Sequence, residues 1–554
     1  MSARKDVRIA LMGSVDAGKT TFLGVISSGK TNDAKESARN WILANKHEIQ
    51  KGKTSTVTKH VMGYKLINSV AETQTQETKS VCRNFEPIFN TAAVHASSFQ
   101  RGRSIQSMME EADHLIDFND NAGDAKFFRT ALRGVSGSYS DYAILVVSAL
   151  KGLLPMSREH WVSIKSLRIP MIIIITKIDA VPQTDSEKKS TGNKLLKDVQ
   201  DQIYKYARRH NQRTFAIRNR NDVETIMASD PFFSKLIPII GISLKEPGIN
   251  LELLHHFLSN LKASSHGVWY QPIVTKSIGE NQEEKHLLYI DQTFYVKGID
   301  VIVSGVMLSG SMKAGDRVRI GPFFGKSIET NNEEMKFHPL EHAYNFVTVD
   351  IKSVHQHCIE IFDPIVQSMS CAMAIKPAFV KKHKVTRTMI RPGMLLLDIK
   401  TSTESSSVFF AKVNVLHHAT TIKVGFQAVA QIGSIRQTVT FLKIQKENVS
   451  GTTDETDSNN NNNNIIRSND VATVCLRFNR HAEYIIDGQH FVLREGSGSE
   501  QNIGEGSMKC EGIITQAHLN YEELDTISNL LDNNMKVKSG LLSKKDLRKE
   551  NFVK

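Results

Sequence analysis

The sequence predicts a multidomain protein in which an α/β domain is followed by two antiparallel β-barrel domains. Three observations carry that prediction. Up to about Lys262, apolar β-branched runs alternate with helix-like stretches, as in a parallel sheet covered on both faces. After Lys262 the chain changes to short strands separated by glycine turns, with no long helix between them, as in a barrel. The same texture returns after residue 407. The expected boundaries are 1–265 for the α/β domain, 266–380 and 381–520 for the barrels, and 521–554 for a basic C-terminal tail. At 554 residues the chain is too long for one hydrophobic core, which fits this division.

Residues 7–12 are the first apolar strand, and a loop bearing two glycines leads from it into a helix near Thr21. Residues 142–148, 169–175 and 237–242 are three more apolar strands, and helices are expected over 127–133, 158–167 and 251–261. First-barrel strands are expected at 286–296, 301–308 and 317–320, punctuated by Lys297-Gly298, Ser309-Gly310 and Ala314-Gly315-Asp316. Second-barrel strands are expected at 407–416, 426–432, 437–444, 472–478 and 490–494. Residues 447–468 are polar, include six consecutive asparagines from Asn459 to Asn464, and read as a disordered insertion between two strands. An asparagine run of this kind fits an AT-rich genome such as that of a giant DNA virus or an amoeba. From Lys536 to Lys554 there are seven Lys/Arg against two acids, the composition of a solvated, frayed end.

Three segments carry chemistry. Gly13-Ser14-Val15-Asp16-Ala17-Gly18-Lys19-Thr20 has the spacing of a phosphate-binding P-loop, and Thr21 continues the helix behind it. The glycines let backbone N–H groups turn inward around phosphates. Lys19 reaches the β- and γ-phosphates, the Thr20 hydroxyl is a Mg²⁺ ligand, and the helix start adds its positive dipole end. Thr176-Lys177-Ile178-Asp179 follows an apolar strand. A carboxylate there accepts from the guanine N1–H and its exocyclic amine, a donor pair that adenine lacks, so Asp179 selects GTP. Asp120-Asn121-Ala122-Gly123 lies between them, with Asp120 holding the Mg²⁺ shell through water and the Gly123 N–H meeting the γ-phosphate. Two weaker segments complete a GTPase set. Thr54, in Gly52-Lys53-Thr54, is a further Mg²⁺ ligand in the GTP state, and Ser243-Leu244 offers backbone to the guanine O6.

Longer strings resemble a family. His47-Glu-Ile-Gln-Lys-Gly-Lys-Thr-Ser55, Leu416-His-His-Ala-Thr-Thr-Ile422 and Gln431-Ile-Gly-Ser-Ile-Arg-Gln-Thr438 resemble the eukaryotic GTP-binding proteins one and two, relatives of elongation factors Tu and 1-alpha. Val301-Ile-Val-Ser-Gly305 and Phe491-Val-Leu-Arg-Glu-Gly496 resemble second- and third-domain strands of elongation factors. The resemblance runs from about Val7 to Thr515. It implies a P-loop G domain with two β-barrels, GTP/GDP and Mg²⁺ as cofactors, and work on tRNA, the ribosome or mRNA turnover. It points to Lys19, Thr54 and the switch position 124 as catalytic.

Two departures stand out. The family's switch motif ends in histidine, where this chain has Asp124. A carboxylate there repels the γ-phosphate, so hydrolysis is expected to be slow. Gly298-Ile299-Asp300 replaces a Gly-x-Gly that in the family lies near the aminoacyl end of tRNA. The alternative reading is therefore a weakly hydrolysing, GTP-dependent binding module or decoy on the translation machinery.

Composition narrows the rest. Hydrophobic content of 40% and charged content of 23% describe a soluble globular chain, and a net charge of +12 suits an acidic partner such as RNA. Residues behind Met1 lack an apolar core, so no signal peptide is expected, and no apolar run approaches a membrane span. A cytoplasmic monomer is the expectation. Cys82, Cys358, Cys371, Cys475 and Cys510 form no C-x-x-C pair, which argues against a zinc ribbon or a disulfide framework. His355, His357 and Cys358 lie close together, as do His417 and His418, but no second ligand pair has zinc spacing, so they read as polar or half-buried barrel residues.

Overall fold

The computed structural model describes residues 6–31, 33, 37–43, 57–67, 82–90, 92, 98–179, 186–245, 247–263, 285–323, 345–376, 379–380, 383–401, 403–416, 421–447, 465–495 and 508–519. These fall into two compact units, the first holding the α/β domain and the second both barrels.

The α/β unit runs β1 (Asp6–Met12), α1 (Lys19–Ser28), α2 (Ser37–Ile42), β2 (Thr58–Leu66), β3 (Phe85–Ile88), α3 (Ser98–Glu111), β4 (His114–Asp120), α4 (Phe128–Gly137), β5 (Tyr142–Ser148), α5 (Pro155–Ser166), β6 (Met171–Thr176), α6 (Ser186–Arg209), β7 (Arg213–Ile217), α7 (Arg220–Ser229), β8 (Leu236–Gly241) and α8 (Leu251–Ser259). The sheet order is β3-β2-β4-β1-β5-β6-β8-β7. Strands β1 and β4 to β8 are parallel, whereas β2 runs antiparallel to both β4 and β3. The sheet is thus mixed, which corrects the all-parallel expectation. Strand β2 returns directly beside β4, and the exposed residues near its two ends break the continuous apolar signature of a central strand. Central strands β1, β5 and β6 are buried at every residue, because helices cover both faces. The core joins Val7, Ile9 and Leu11 to Phe22, Phe118, Ile144, Ile174 and Phe257.

Within the second unit, six strands close each barrel. The first ring is Leu287–Val296, Asp300–Ser309, Ser370–Ile375, Asn345–Gln356, Arg317–Phe323 and Leu395–Leu397. Its last strand pairs with both Arg317–Phe323 and Leu287–Val296, so this barrel continues past the expected boundary at residue 380. Three residues are too few to show a period in the sequence, and only the two pairings reveal the strand. The second ring is Val408–Val415, Val471–Phe478, Ile435–Lys446, Gln427–Ile432, His490–Glu495 and Met508–Gln516. Alternation of buried and exposed residues along Ile435–Lys446 is what a two-faced barrel wall requires. The two barrels are bridged by Arg391, which donates to the buried Glu483 carboxylate at 2.8 Å, and by Tyr289 Oη donating to the Tyr484 carbonyl at 3.0 Å.

The expected disordered insertion shrinks at its ends. Ile465–Ile466 pairs with Ile422–Lys423, and Glu447 accepts from Lys412 Nζ at 2.6 Å. The asparagine run and the basic tail lie outside the described residues.

Candidate functional site

The chain leaves β4 on one side of β1 and enters β5 on the other, so β1 is the point where the winding reverses. Loops that follow parallel strands at such a point form a crevice at the strands' C-terminal ends. The P-loop follows β1, Asp120 ends β4, Thr176 ends β6, and Ser243 follows β8. One edge of the sheet therefore gathers all of these segments.

The P-loop needs glycine at two places. Gly13 has φ +141°, and a Cβ there would lie 2.3 Å from the Val146 carbonyl oxygen. Gly18 has φ +94° and directly precedes α1. Both are conformations that L side chains avoid. Lys19 is buried and donates to the carbonyls of Gly13 at 2.9 Å and Ser14 at 3.0 Å. Burial pulls its ammonium below the usual lysine range, and the charges of Asp120 and Asp16 oppose that pull. Thr20 Oγ1 donates to Asp120 Oδ2 at 3.1 Å. Two hard oxygen donors thus meet at the start of α1, a donor set that suits Mg²⁺.

Gly123 lies against the same lysine. A Cβ on Gly123 would come 2.3 Å from Lys19 Nζ and 2.6 Å from the Gly13 carbonyl. Only hydrogen fits there. Asp124 then caps the 3₁₀ turn Ala125–Phe127, its carboxylate accepting from the Lys126 N–H at 3.2 Å. The aspartate therefore has a local structural role that its sequence position did not reveal.

The Thr176-Lys177-Ile178-Asp179 segment braces the P-loop. Thr176 Oγ1 donates to the Ala17 carbonyl at 2.6 Å, and Lys177 Nζ donates to the Asp16 carbonyl at 2.8 Å. Lys177 holds a left-handed φ of +62° to do so. Asp179 follows in a turn, half-buried. Ser243 is buried and its backbone pairs in both directions with Ile249, which sets the loop carrying Leu244. Ile242 N–H donates to the Ile175 carbonyl at 2.8 Å, so the β6 and β8 loops leave the sheet side by side. Thr54 lies outside the described residues.

Sequence reasoning missed His160. This ring is fully buried in α5, stacks on Phe128 at 5.7 Å, and accepts the Gly13 N–H on Nδ1 at 3.1 Å. Accepting at Nδ1 makes it the neutral tautomer with its proton on Nε2. Burial first, and then the Lys19 charge, push it down to about 3. Its place beside Trp161 and Ile164 could have marked it as buried; nothing in the sequence marks Gly13 as its partner.

Unfolded histidine titrates near 6.5, while burial holds His160 at about 3 and His60 and His255 at about 4. Unfolding below pH 6.5 therefore takes up protons. The stability these rings contribute is complete above pH 6.5 and is lost as pH falls toward their folded values, by up to about 1.4 kcal/mol per pH unit for each ring. Denaturant titrations between pH 7 and pH 5 should show this slope, and His160→Asn should flatten it by about one proton. An unchanged slope in that variant would mean that His160 does not stay neutral in the fold.

Residues 4–263 match the family model of the elongation factor Tu GTP binding domain. The chain is 28% identical over 492 residues to GTP-binding protein 1 of Xenopus laevis, covering 89% of this chain and 62% of that relative. It is 25% identical over 495 residues to GTP-binding protein 2 of Homo sapiens, covering 89% of this chain and 67% of that one. Two solved structures share the fold. They are bacterial selenocysteine-specific elongation factor EF-Sec, at TM-score 0.51 and 16% identity over 96% of this chain and 62% of that one, and translation elongation factor SelB from Methanococcus maripaludis in complex with the GTP analogue GppNHp, at TM-score 0.52 and 15% identity over 94% and 80%. Among the described residues no helix is long and apolar enough to cross a membrane.

Proposed function

We propose that the chain is a translational GTPase of the elongation factor Tu and 1-alpha class, a reading supported by the match of residues 4–263 to the elongation factor Tu GTP binding domain, and that it is a GTP/GDP switch acting on tRNA, the ribosome or mRNA turnover, as a cytoplasmic monomer. The observation that carries this reading is the seat of Gly123 on Lys19. In the proposed GTP state both groups contact the γ-phosphate, which is too large for the space between them. Entry of that phosphate moves the Asp120–Gly123 segment, and its loss lets the segment return. A ligand that fits only one of two arrangements shifts the equilibrium between them.

The remaining roles follow from placement. Lys19 exchanges the Gly13 and Ser14 carbonyls for phosphate oxygens. Amides of residues 13–18, together with Thr21 in the first turn of α1, line the phosphates. Thr20, Asp120 through water, and Thr54 would hold Mg²⁺, which supplies charge neutralisation between the phosphates. Asp179 reads the guanine edge, and Ser243-Leu244 presents backbone to O6. Thr176 and Lys177 hold the P-loop beneath the base. In the first barrel, Phe294, Tyr295 and Val296 are exposed beside the hairpin of Gly298 and Asp300. Asp300 takes a φ of +84°, a conformation suited to glycine, where the related factors carry one. The test of partner choice is co-sedimentation with ribosomes. Retention with a non-hydrolysable GTP analogue but not with GDP supports the switch; equal retention in both states, or none, overturns it.

Asp124 favours a second reading, a binding module that hydrolyses slowly. Two unit charges ~5 Å apart at an effective dielectric of ~20 repel by roughly 3 kcal/mol. A third of that surviving in the transition state slows hydrolysis several-fold. Because Asp124 also caps the 3₁₀ turn, charge and cap must be separated. Asp124→Asn keeps a capping side chain and removes the charge, whereas Asp124→His removes the cap, a change worth about 1 kcal/mol, and restores the family's residue. Single-turnover phosphate release with excess ribosomes should rise in both variants and most in the histidine one, with GTP affinity within a few-fold of wild type. A wild-type rate equal to the histidine variant's would remove Asp124 as the limiting group.

A further inference from the structure

Three segments distant in sequence bring a thiol, a carboxylate and an imidazole together in the α/β unit. Cys82 precedes edge strand β3, Glu224 stands in α7 and His256 in α8. One ligand atom from each, the cysteine Sγ, a carboxylate oxygen and a ring nitrogen, all lie within 4.8 Å of one another. We propose that Cys82, Glu224 and His256 form a binding site for a borderline-soft divalent cation of the Zn²⁺ type, sharing no residue with the nucleotide site.

The donor set argues for this ion class. One sulfur, one nitrogen and one oxygen donor suit Zn²⁺, which takes four ligands tetrahedrally; Mg²⁺ and Ca²⁺ take oxygen donors alone. In a tetrahedral site with metal–ligand bonds of about 2.0–2.3 Å, neighbouring ligand atoms stand about 3.3–3.8 Å apart. Side-chain rotations of about 1 Å close the gap. Cys82 is buried while Glu224 and His256 are half-buried, and with three protein ligands the fourth would be water.

The backbone is already braced for the site. The Cys82 N–H donates to Glu224 Oε2 at 3.1 Å. Arg83 N–H donates to Asn260 Oδ1 at 2.7 Å, and Asn260 Nδ2 donates to the carbonyls of Arg83 at 3.0 Å and His256 at 2.9 Å. A hydrogen bond between the thiol and Glu224 accounts for that pair by itself. It does not account for an imidazole converging on both. On binding, the metal replaces the thiol proton, which leaves to solvent; no electron transfer is involved. The bound ion would tie the segment before β3 to α7 and α8.

The test uses the full chain, reduced and saturated with Mg·GDP so that the nucleotide site is filled. One equivalent of Co²⁺ should give a thiolate-to-cobalt band in the near ultraviolet and the visible bands of a tetrahedral ion. Zn²⁺ should displace it, and chelator should lower the melting temperature of the Zn²⁺-loaded chain. The oxygen donors Thr20 and Asp120 give no thiolate band, so the two sites are distinguishable. Cys82→Ser should abolish the band and His256→Ala should weaken metal binding at least tenfold. Cys358→Ser, which removes the exposed thiol among the described residues, should leave the band intact. GDP binding in each variant reports folding. If Cys82→Ser fails to bind GDP, Glu224→Gln and His256→Ala decide the matter, since a full band in both overturns the proposal. So does a wild-type chain with no band at one equivalent, or a band that survives Cys82→Ser or is lost in Cys358→Ser.

Discussion

Lys19→Ala should weaken Mg·GTP binding by about two to three orders of magnitude while leaving the nucleotide-free fold as stable as wild type or more so. The two effects have opposite causes. Removing one partner of a buried, hydrogen-bonded charge pair costs about 2–5 kcal/mol of binding, and the proposed GTP state pairs this ammonium with two phosphates. Without nucleotide the same ammonium is buried on two neutral carbonyls, and desolvation pulls its pKa down. A lysine whose folded pKa lies below its unfolded value destabilises the fold at neutral pH, and that penalty disappears with the side chain. Calorimetric titration with GTP and a melting curve without it measure both halves. Unchanged affinity would remove the P-loop assignment. A large drop in the nucleotide-free melting temperature would show instead that Lys19 holds the loop together.

Asp179→Asn should lower GTP affinity by about two orders of magnitude and raise affinity for xanthosine triphosphate. A carboxylate accepting two hydrogen bonds makes charge-assisted contacts, roughly twice as strong as neutral ones. The asparagine amide turns one acceptor into a donor. It then opposes the guanine amine and matches the carbonyl of xanthine. A site built to pair a polar group rejects the analogue that leaves it unpaired by about 10⁴–10⁵ in the best cases, so the exchange of preference is expected to be large. The Lys177 and Thr176 bonds to the P-loop do not pass through Asp179, so phosphate binding should survive. Competition among GTP, xanthosine triphosphate and ATP measures the change. Wild-type chain that bound ATP as tightly as GTP would refute guanine selection by Asp179.

The proposed nucleotide site was legible because each of its parts is a short contiguous string at the end of a strand. Gly13 and Gly18 stand where φ is strongly positive, and a glycine at such a place leaves a mark in one dimension. The fully apolar runs that became β5 and β6 are equally plain, since burial on both faces admits no alternation. Both barrels were expected and both are present. Strands 345–356, 370–375 and 508–516 were not read, and neither was the three-residue strand Leu395–Leu397 that closes the first ring.

By itself, the sequence determined the order of domains and the phosphate loop, and it carries the guanine-reading role proposed for Asp179, because local backbone geometry and the chemistry of a single side chain suffice for each. Tertiary structure alone decided what depends on two distant atoms meeting. It put the His160 imidazole on the Gly13 amide, Lys177 on the Asp16 carbonyl, and Gly123 against Lys19. It turned the Asp124 carboxylate onto the Lys126 amide, and it brought Cys82 to Glu224 and His256. A hydrogen bond or a metal site requires a distance, and the chain sets the distance between residues 82, 224 and 256 only after the sheet has been wound and its helices packed.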